Sequence, residues 1–352
     1  MRVAFLGGGT GGHLVPGAAV AEELRRLGHD ALFLIAGRPV ERQVLDPRQL
    51  RSRELFDGGP RPSPLDLRTW GLATMRWRRA IVDYDPSAIV VLGGWVSLPA
   101  LLTGFFGRPS VLIEQNARPG KVQQLLGRRG VDIACLTCEG DDMPRGRRGT
   151  HVTGNPAPEL PRRERVQAAR DLGLDPARRT LLLMGGSQGA GDLNALLPAL
   201  LAVLARQEQP WQVLNVTGEQ PCPALPDPAV PVHRRRFIQD MAAAYSATDV
   251  AVCRAGGSTV SELACTGTPA VLVPYPHHAD RHQEANGARL AALGGALMVS
   301  RDDPTGQRTA PTLLAQALPR LAEMSAAARR LSRPRAAREV ADVVVEAAGA
   351  GR

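Results

Sequence analysis

Glycine-rich turns carry most of the chemistry that can be read from this chain of 352 residues. The first, Gly7-Gly8-Gly9-Thr10-Gly11-Gly12-His13, follows the apolar run 3–6 and opens a helix-like stretch over 15–27. Such a turn lets a ligand approach the backbone, and the N–H groups and dipole at a helix start attract an anion. It also satisfies the Gly-x-Gly-x-x-Gly pattern of dinucleotide folds. Those folds want an acidic residue on the ribose at the end of the second strand, and Leu34-Ile35-Ala36-Gly37-Arg38 supplies none. An NADP-dependent version, with Arg38 on the extra phosphate, stays open.

Gly93-Gly94-Trp95-Val96-Ser97 and Gly185-Gly186-Ser187-Gln188-Gly189-Ala190 sit in equivalent strand-to-helix positions further along. The richest segment is Cys253-Arg254-Ala255-Gly256-Gly257-Ser258-Thr259-Val260-Ser261-Glu262, where a strand meets a helix start rich in hydroxyls. That combination suits a diphosphate, with Glu262 one turn on accepting hydrogen bonds from ribose hydroxyls. Two plainer roles compete: Ser258 and Thr259 are also good helix caps, and Glu262 is a favourable charge for its own helix.

These turns need rigid strands behind them, and the apolar pattern supplies strands. Runs at 3–6, 31–35, 88–92 and 110–113 alternate with helical stretches, and a second cycle begins near residue 180 with runs at 180–184, 211–217, 250–253 and 270–273. Alternation of this kind predicts parallel sheets with helices on both faces. Between the cycles, the prolines of Gly154-Asn155-Pro156-Ala157-Pro158-Glu159-Leu160-Pro161 forbid continuous helix or strand and mark a hinge. The expected fold class is α/β, two Rossmann-like doubly wound domains facing across a cleft. The expected domains are 1–157, with a C-terminal helix at about 336–352 crossing back, and 158–335.

A formal charge of +9 and a pI near 10.2 call for an anionic partner, or only for a solvated basic surface. Cysteines at 135, 138, 222, 253 and 265 form no regular framework, which suits a reducing compartment. Cys135 and Cys138 have metal-pair spacing without a second pair, and read as buried strand. Asp83-Tyr84-Asp85 has the Asp-x-Asp spacing that some glycosyltransferases use with manganese, yet it stands before Pro86 and reads as surface charge. No metal and no cofactor is expected. Residues 1–6 are too short for a signal-peptide core. The uncharged stretch 88–107 has the length of a membrane span, but Gly93, Gly94 and Pro99 make it a strand, a turn and a helix. Over 65–81, a helix would gather Trp70, Met75 and Trp77 among Arg68, Arg76, Arg78 and Arg79, the composition of an interfacial element or of a partly buried surface helix.

Gly8-Gly9-Thr10-Gly11-Gly12-His13, Gly93-to-Ser97, Glu114-Gln115-Asn116, Gly154-Asn155-Pro156, Gly185-to-Ala190 and Gly256-to-Glu262 resemble, in order, the signature of the MurG family within glycosyltransferase family 28. The resemblance runs to about residue 290. It implies a GT-B fold and an inverting transfer of N-acetylglucosamine from UDP-N-acetylglucosamine to the 4-hydroxyl of N-acetylmuramic acid in lipid I, giving lipid II. The partners it implies are the UDP-sugar, lipid I and the anionic inner membrane leaflet, met peripherally from the cytoplasmic face, and no nucleic acid.

By the same resemblance, the Ile238 backbone after Phe237 meets uracil, and Ser187, Gly257, Ser258, Thr259, Val260 and Ser261 surround the diphosphate. Glu262 takes the ribose and Gln283 the sugar hydroxyls, while Thr10, Gly11, Gly12 and Asn116 face the reacting sugars. Gly9, Gly94 and Trp95 belong to the acceptor. His13 and Glu114 are the two candidate bases for the acceptor hydroxyl; His13 as a loop cap and Glu114 as a structural acceptor are the alternatives. Three positions depart from the family. Ile113 replaces a common His before the Glu-Gln-Asn triplet, Pro158 replaces a common Arg, whose phosphate contact would shift to Arg162 or Arg163, and His282 replaces a frequent Gln. Competing functions are a UDP-N-acetylglucosamine 2-epimerase, the NADP-dependent oxidoreductase, and an inactive homologue that only binds a UDP-sugar.

Overall fold

A computed structural model describes the whole chain except Thr10, Pro158, Glu159, Ser187, 226–228, His278, Ala279, Arg301, Pro304, Gly351 and Arg352. The chain divides into two compact units, Met1–Pro158 with Arg333–Arg352, and Glu159–Ser332.

In the first unit the strands are β1 (Arg2–Gly7), β2 (Asp30–Ile35), β3 (Arg51–Glu54), β4 (Ala88–Gly93), β5 (Ser110–Glu114), β6 (Ile133–Leu136) and β7 (Gly149–Val152). They pair in parallel in the order β3-β2-β1-β4-β5-β6-β7. The helices between them are α1 (Gly11–Arg26), α2 (Pro39–Leu45), α3 (Leu67–Tyr84), α4 (Leu98–Thr103) and α5 (Lys121–Arg129). Because side chains alternate along a strand, Val3 and Phe5 pack with α1 on one face while Ala4 and Leu6 pack with α3 on the other. Both faces are covered, which is why the central strands are apolar throughout. Strand order reverses between β1 and β4, and that switch point is where doubly wound sheets bind ligands.

α3 shows how far periodicity reaches. Asp66 caps it, accepting from Thr69 N at 3.1 Å, and Asp85, at a left-handed φ of 47°, ends it before Pro86. Ala73, Trp77, Ala80, Ile81 and Tyr84 form the buried face. Trp77, predicted at the surface with Trp70 and Met75, is fully buried, its indole donating to Thr103 Oγ1 at 3.1 Å. It is a core residue because it falls on the stripe of Ala73 and Ala80, whereas Met75 falls on the opposite one. Trp70 is half-buried and packs edge-on against Phe56. The stretch 88–107 forms β4, a tight turn and α4, and among the described residues no helix is long and apolar enough to cross a membrane.

In the second unit α6 (Arg165–Asp171) precedes β8 (Arg179–Met184), α7 (Gly191–Asn194), α8 (Leu197–Leu204), β9 (Trp211–Val216) and β10 (Val232–Arg235). Then come α9 (Met241–Ala247), β11 (Val250–Cys253), α10 (Gly257–Thr266), β12 (Ala270–Leu272), α11 (His282–Ala292), β13 (Ala296–Met298), α12 (Thr309–Ala317) and α13 (Leu321–Arg329). The strands are again parallel, in the order β10-β9-β8-β11-β12-β13, with the switch point between β8 and β11. The last helix, α14 (Ala336–Gly349), belongs to the first unit, where Val340, Val344 and Ala347 pack into the core beside Leu14 and Ala18. A fully buried Leu or Val contributes about 1.5–3 kcal/mol, so this single helix is a substantial part of that core.

Candidate functional site

All the glycine turns leave the carboxyl ends of the two strand pairs at the switch points, β1 with β4 and β8 with β11. In the first unit, the turns after β1 and β4 interlock. Gly9 has φ 84°, and a Cβ there would lie 2.7 Å from Trp95 Nε1; one on Gly94, φ 73°, would lie 2.7 Å from Gly8 O. Any side chain at either position would push the two loops apart. The structure therefore brings Gly9, Gly94 and Trp95 together, with Trp95 braced by Phe56 and Trp70 at ring-centroid distances of 4.8 and 6.3 Å.

Glu41 holds this loop and is absent from the sequence-derived candidates. It is fully buried on α2. Its Oε1 accepts from Gly9 N at 2.6 Å and Ala36 N at 3.2 Å, and its Oε2 from Arg38 N at 2.7 Å. Arg38 in turn donates through Nη1 to Gly9 O at 2.6 Å. Both polar groups of Gly9 are thus held in place, and Arg38, the residue an NADP site would use for phosphate, is engaged with the protein's own loop. The usable sequence signal was an acidic residue in the first turn of a helix opened by Pro39.

His13 lies in the first turn of α1, with Gln123 Nε2 3.3 Å from its Nε2. Glu114 ends β5, is fully buried, and accepts at Oε1 from Asn116 N at 2.8 Å and Asn116 Nδ2 at 3.3 Å. Glu114 therefore shapes the turn that presents Asn116. Gly12 lies beside His13 on α1, while Gly11 opens that helix. Thr10 lies outside the described residues. Ile113, where the family commonly has His, packs in the core with Val111 and Cys135.

In the second unit, Gly256 precedes α10 in an extended conformation and, as a glycine, offers no side-chain cap to that helix. Ser258 Oγ is buried and has no hydrogen-bond partner among the described residues. Ser258 therefore does not act as a cap among the described residues, and a helix start, whose first N–H groups have no partner within the helix, together with this hydroxyl suits an anion. Thr259 and Ser261 are half-buried in the following turn, whereas Val260 packs in the core and has only its backbone to offer. Glu262 accepts from the Tyr245 hydroxyl at 2.8 Å. Ile238 is likewise buried, leaving its backbone. Gln283 accepts through Oε1 from Tyr275 N at 2.9 Å, which orients its amide. Ser187 lies outside the described residues.

Arg254 ties these loops together and was not singled out from sequence. Its guanidinium, 7% exposed, bonds both oxygens of Asp192 at 2.7 Å, donates to Val273 O at 3.1 Å and lies 5.3 Å from the Tyr275 ring centre. The loops after β8, β11 and β12 are thereby joined through one buried cation. Of the departures, Arg163 pairs with Asp240 at 2.5 Å and His282 Nδ1 with Asp280 at 2.6 Å. Pro158 lies outside the described residues. Asp83 and Asp85 bond the arginines Arg53 at 3.3 Å and Arg2 at 2.9 Å.

Residues 3–134 match the glycosyltransferase family 28 N-terminal domain and residues 180–346 the family 28 C-terminal domain. A UDP-N-acetylglucosamine–N-acetylmuramyl-(pentapeptide) pyrophosphoryl-undecaprenol N-acetylglucosamine transferase from Alkalilimnicola ehrlichii is 36% identical, with 99% of each chain covered. One of the same description from Cupriavidus necator is 34% identical, with 96% of each covered. The crystal structure of Acinetobacter baumannii MurG matches at a TM-score of 0.70 and 26% identity, covering 98% of this chain and 99% of that one. The paired doubly wound sheets, the turns at their switch points and these full-length likenesses place this chain in glycosyltransferase family 28, among the MurG-type enzymes of GT-B fold.

Proposed function

We propose that this chain is a hexosyltransferase that moves N-acetylglucosamine from UDP-N-acetylglucosamine to the 4-hydroxyl of N-acetylmuramic acid in lipid I, with inversion, yielding lipid II for peptidoglycan. The observation that carries the donor half is the buried Ser258 hydroxyl, without a hydrogen-bond partner among the described residues, at the start of α10, with Glu262 one turn further on. An anion there would meet the N–H groups of the helix start and the hydroxyl together, and the carboxylate suits vicinal ribose hydroxyls. In the first unit, the loop fixed by Glu41 and Arg38 is the candidate acceptor platform, with His13 or Glu114 as base. UDP release should rise at least tenfold when a lipid I analogue is added to enzyme and UDP-N-acetylglucosamine; release that ignores the analogue excludes this acceptor. An epimerase would turn over UDP-sugar without it, and an inactive homologue would release no UDP.

The same reading places the protein peripherally on the anionic cytoplasmic face of the inner membrane. Arg68, Leu72, Met75, Arg79 and Val82 follow helical spacing along the exposed stripe of α3, with Met75 68% and Val82 70% exposed. Apolar groups between cations suit a headgroup interface. Arg76 is the weaker contributor because it pairs with Asp57 at 2.8 Å. Replacing Arg78 and Arg79 with Gln should weaken binding to phosphatidylglycerol vesicles by roughly tenfold or more. Equal binding of variant and parent would remove α3 from the interface.

A further inference from the structure

Glu262 does not hold its own orientation. Tyr245, the fifth residue of α9, is 2% exposed, and its hydroxyl donates to Glu262 Oε2 at 2.8 Å. Burial first, and then the Glu262 charge, push this phenol well above its ordinary pKa, so it remains a donor wherever the protein stays folded. Cys253, buried at the end of β11, is pushed up to about 12 by burial and by Glu262, and remains an uncharged thiol. The helix carrying Tyr245 is itself anchored: Asp240 accepts from Ala243 N at 3.0 Å and pairs with Arg163.

We propose that Tyr245 is a positioning residue that sets ribose recognition, holding the Glu262 carboxylate in the rotamer that meets the two vicinal hydroxyls of a nucleoside diphosphate. This rests on the assignment of Glu262 to the ribose made above. A glutamate has three rotatable side-chain bonds, and an unrestrained one loses that freedom when a ligand binds. Tying one oxygen to an immobile phenol removes the freedom beforehand, which is preorganisation. Because α9 follows Ile238 after two residues, one short helix also links the backbone assigned to uracil with the carboxylate assigned to ribose. A pair that merely stapled α9 to α10 would affect every nucleotide equally.

The experiment is calorimetry on the full-length protein with UDP and with 2′,3′-dideoxyuridine diphosphate. Tyr245→Phe should weaken UDP about tenfold, the size expected when the rotamer freedom of a glutamate side chain must be given up on binding, and change the dideoxy ligand less than twofold. Equal losses for both ligands, or no loss for either, overturn the proposal. Glu262→Ala locates a failure. If it abolishes discrimination between the ligands while Tyr245→Phe does not, only the role of Tyr245 falls; if discrimination survives it, the ribose assignment falls and takes Tyr245 with it. Should Tyr245→Phe not fold, Glu262→Gln carries the test. With the phenol in place, its amide oxygen is held toward Tyr245 and discrimination falls part-way, whereas a drop to the Glu262→Ala value overturns the proposal.

Discussion

Glu114→Gln is expected to lower kcat by roughly 10²–10⁴-fold, the range of a positioned general base, with UDP affinity unchanged. The affinity should hold because Glu114 lies in the first unit, whereas Ser258, Glu262 and Gln283 lie in the second. Magnitude decides between the two roles open to this residue. Glu114 already accepts from the backbone and side chain of Asn116, and if orienting that turn were its whole function, the change would cost about 0.5–1.5 kcal/mol per lost bond, roughly tenfold. A tenfold effect would therefore leave His13 as the base, and His13→Ala should then show the larger loss. The base also supplies the acidic limb of the kcat/KM profile, so the variant that lacks it should lose that limb. Retained turnover in both variants would exclude both residues.

Glu41→Ala is expected to destabilise the first unit by roughly 3–5 kcal/mol, because it leaves the buried N–H groups of Gly9 and Ala36 and the partly buried one of Arg38 without an acceptor at a cost of about 1–3 kcal/mol each, partly relieved by relaxation. Arg38 would lose the partner that places it on Gly9 O, and the loop between β1 and α1 would no longer be held against Trp95. Transfer should fall at least a hundredfold at temperatures where the variant is still folded. Glutamine is no rescue: both carboxylate oxygens accept from N–H groups, so either orientation of an amide sets a donor against a donor. Urea unfolding and initial rates on the same preparation check this. An unchanged midpoint with parental turnover would show that the loop holds its shape without Glu41.

Much of the architecture was legible because it is written in local pattern. Continuous apolar runs such as 88–92, punctuated by glycine and proline, describe strands buried on both faces, and their alternation with helical stretches specifies parallel pairing. The turns after β1, β4, β8 and β11 were visible for the same reason, since backbone approach to a ligand requires glycine in contiguous positions. Ser258 and Glu262 were legible as a pair because helical spacing relates them.

The sequence by itself determined the element types, the places where backbone donors accumulate, and the residue kinds available to meet a diphosphate, a ribose and an acceptor hydroxyl. Only the tertiary structure decided which side chains orient those groups. Glu41 reaches Gly9 across 32 positions, Arg254 reaches Asp192 across 62, and Tyr245 reaches Glu262 from a different helix. It also decided direction: helical periodicity names a stripe, but not which stripe faces the core, so Trp77, grouped with Met75 at the surface, lies in the core while Met75 stays exposed. The physical reason is common to all of these. Secondary structure answers to neighbours within a turn or a strand, whereas the partner of a buried charge is set by where the packed sheet carries it.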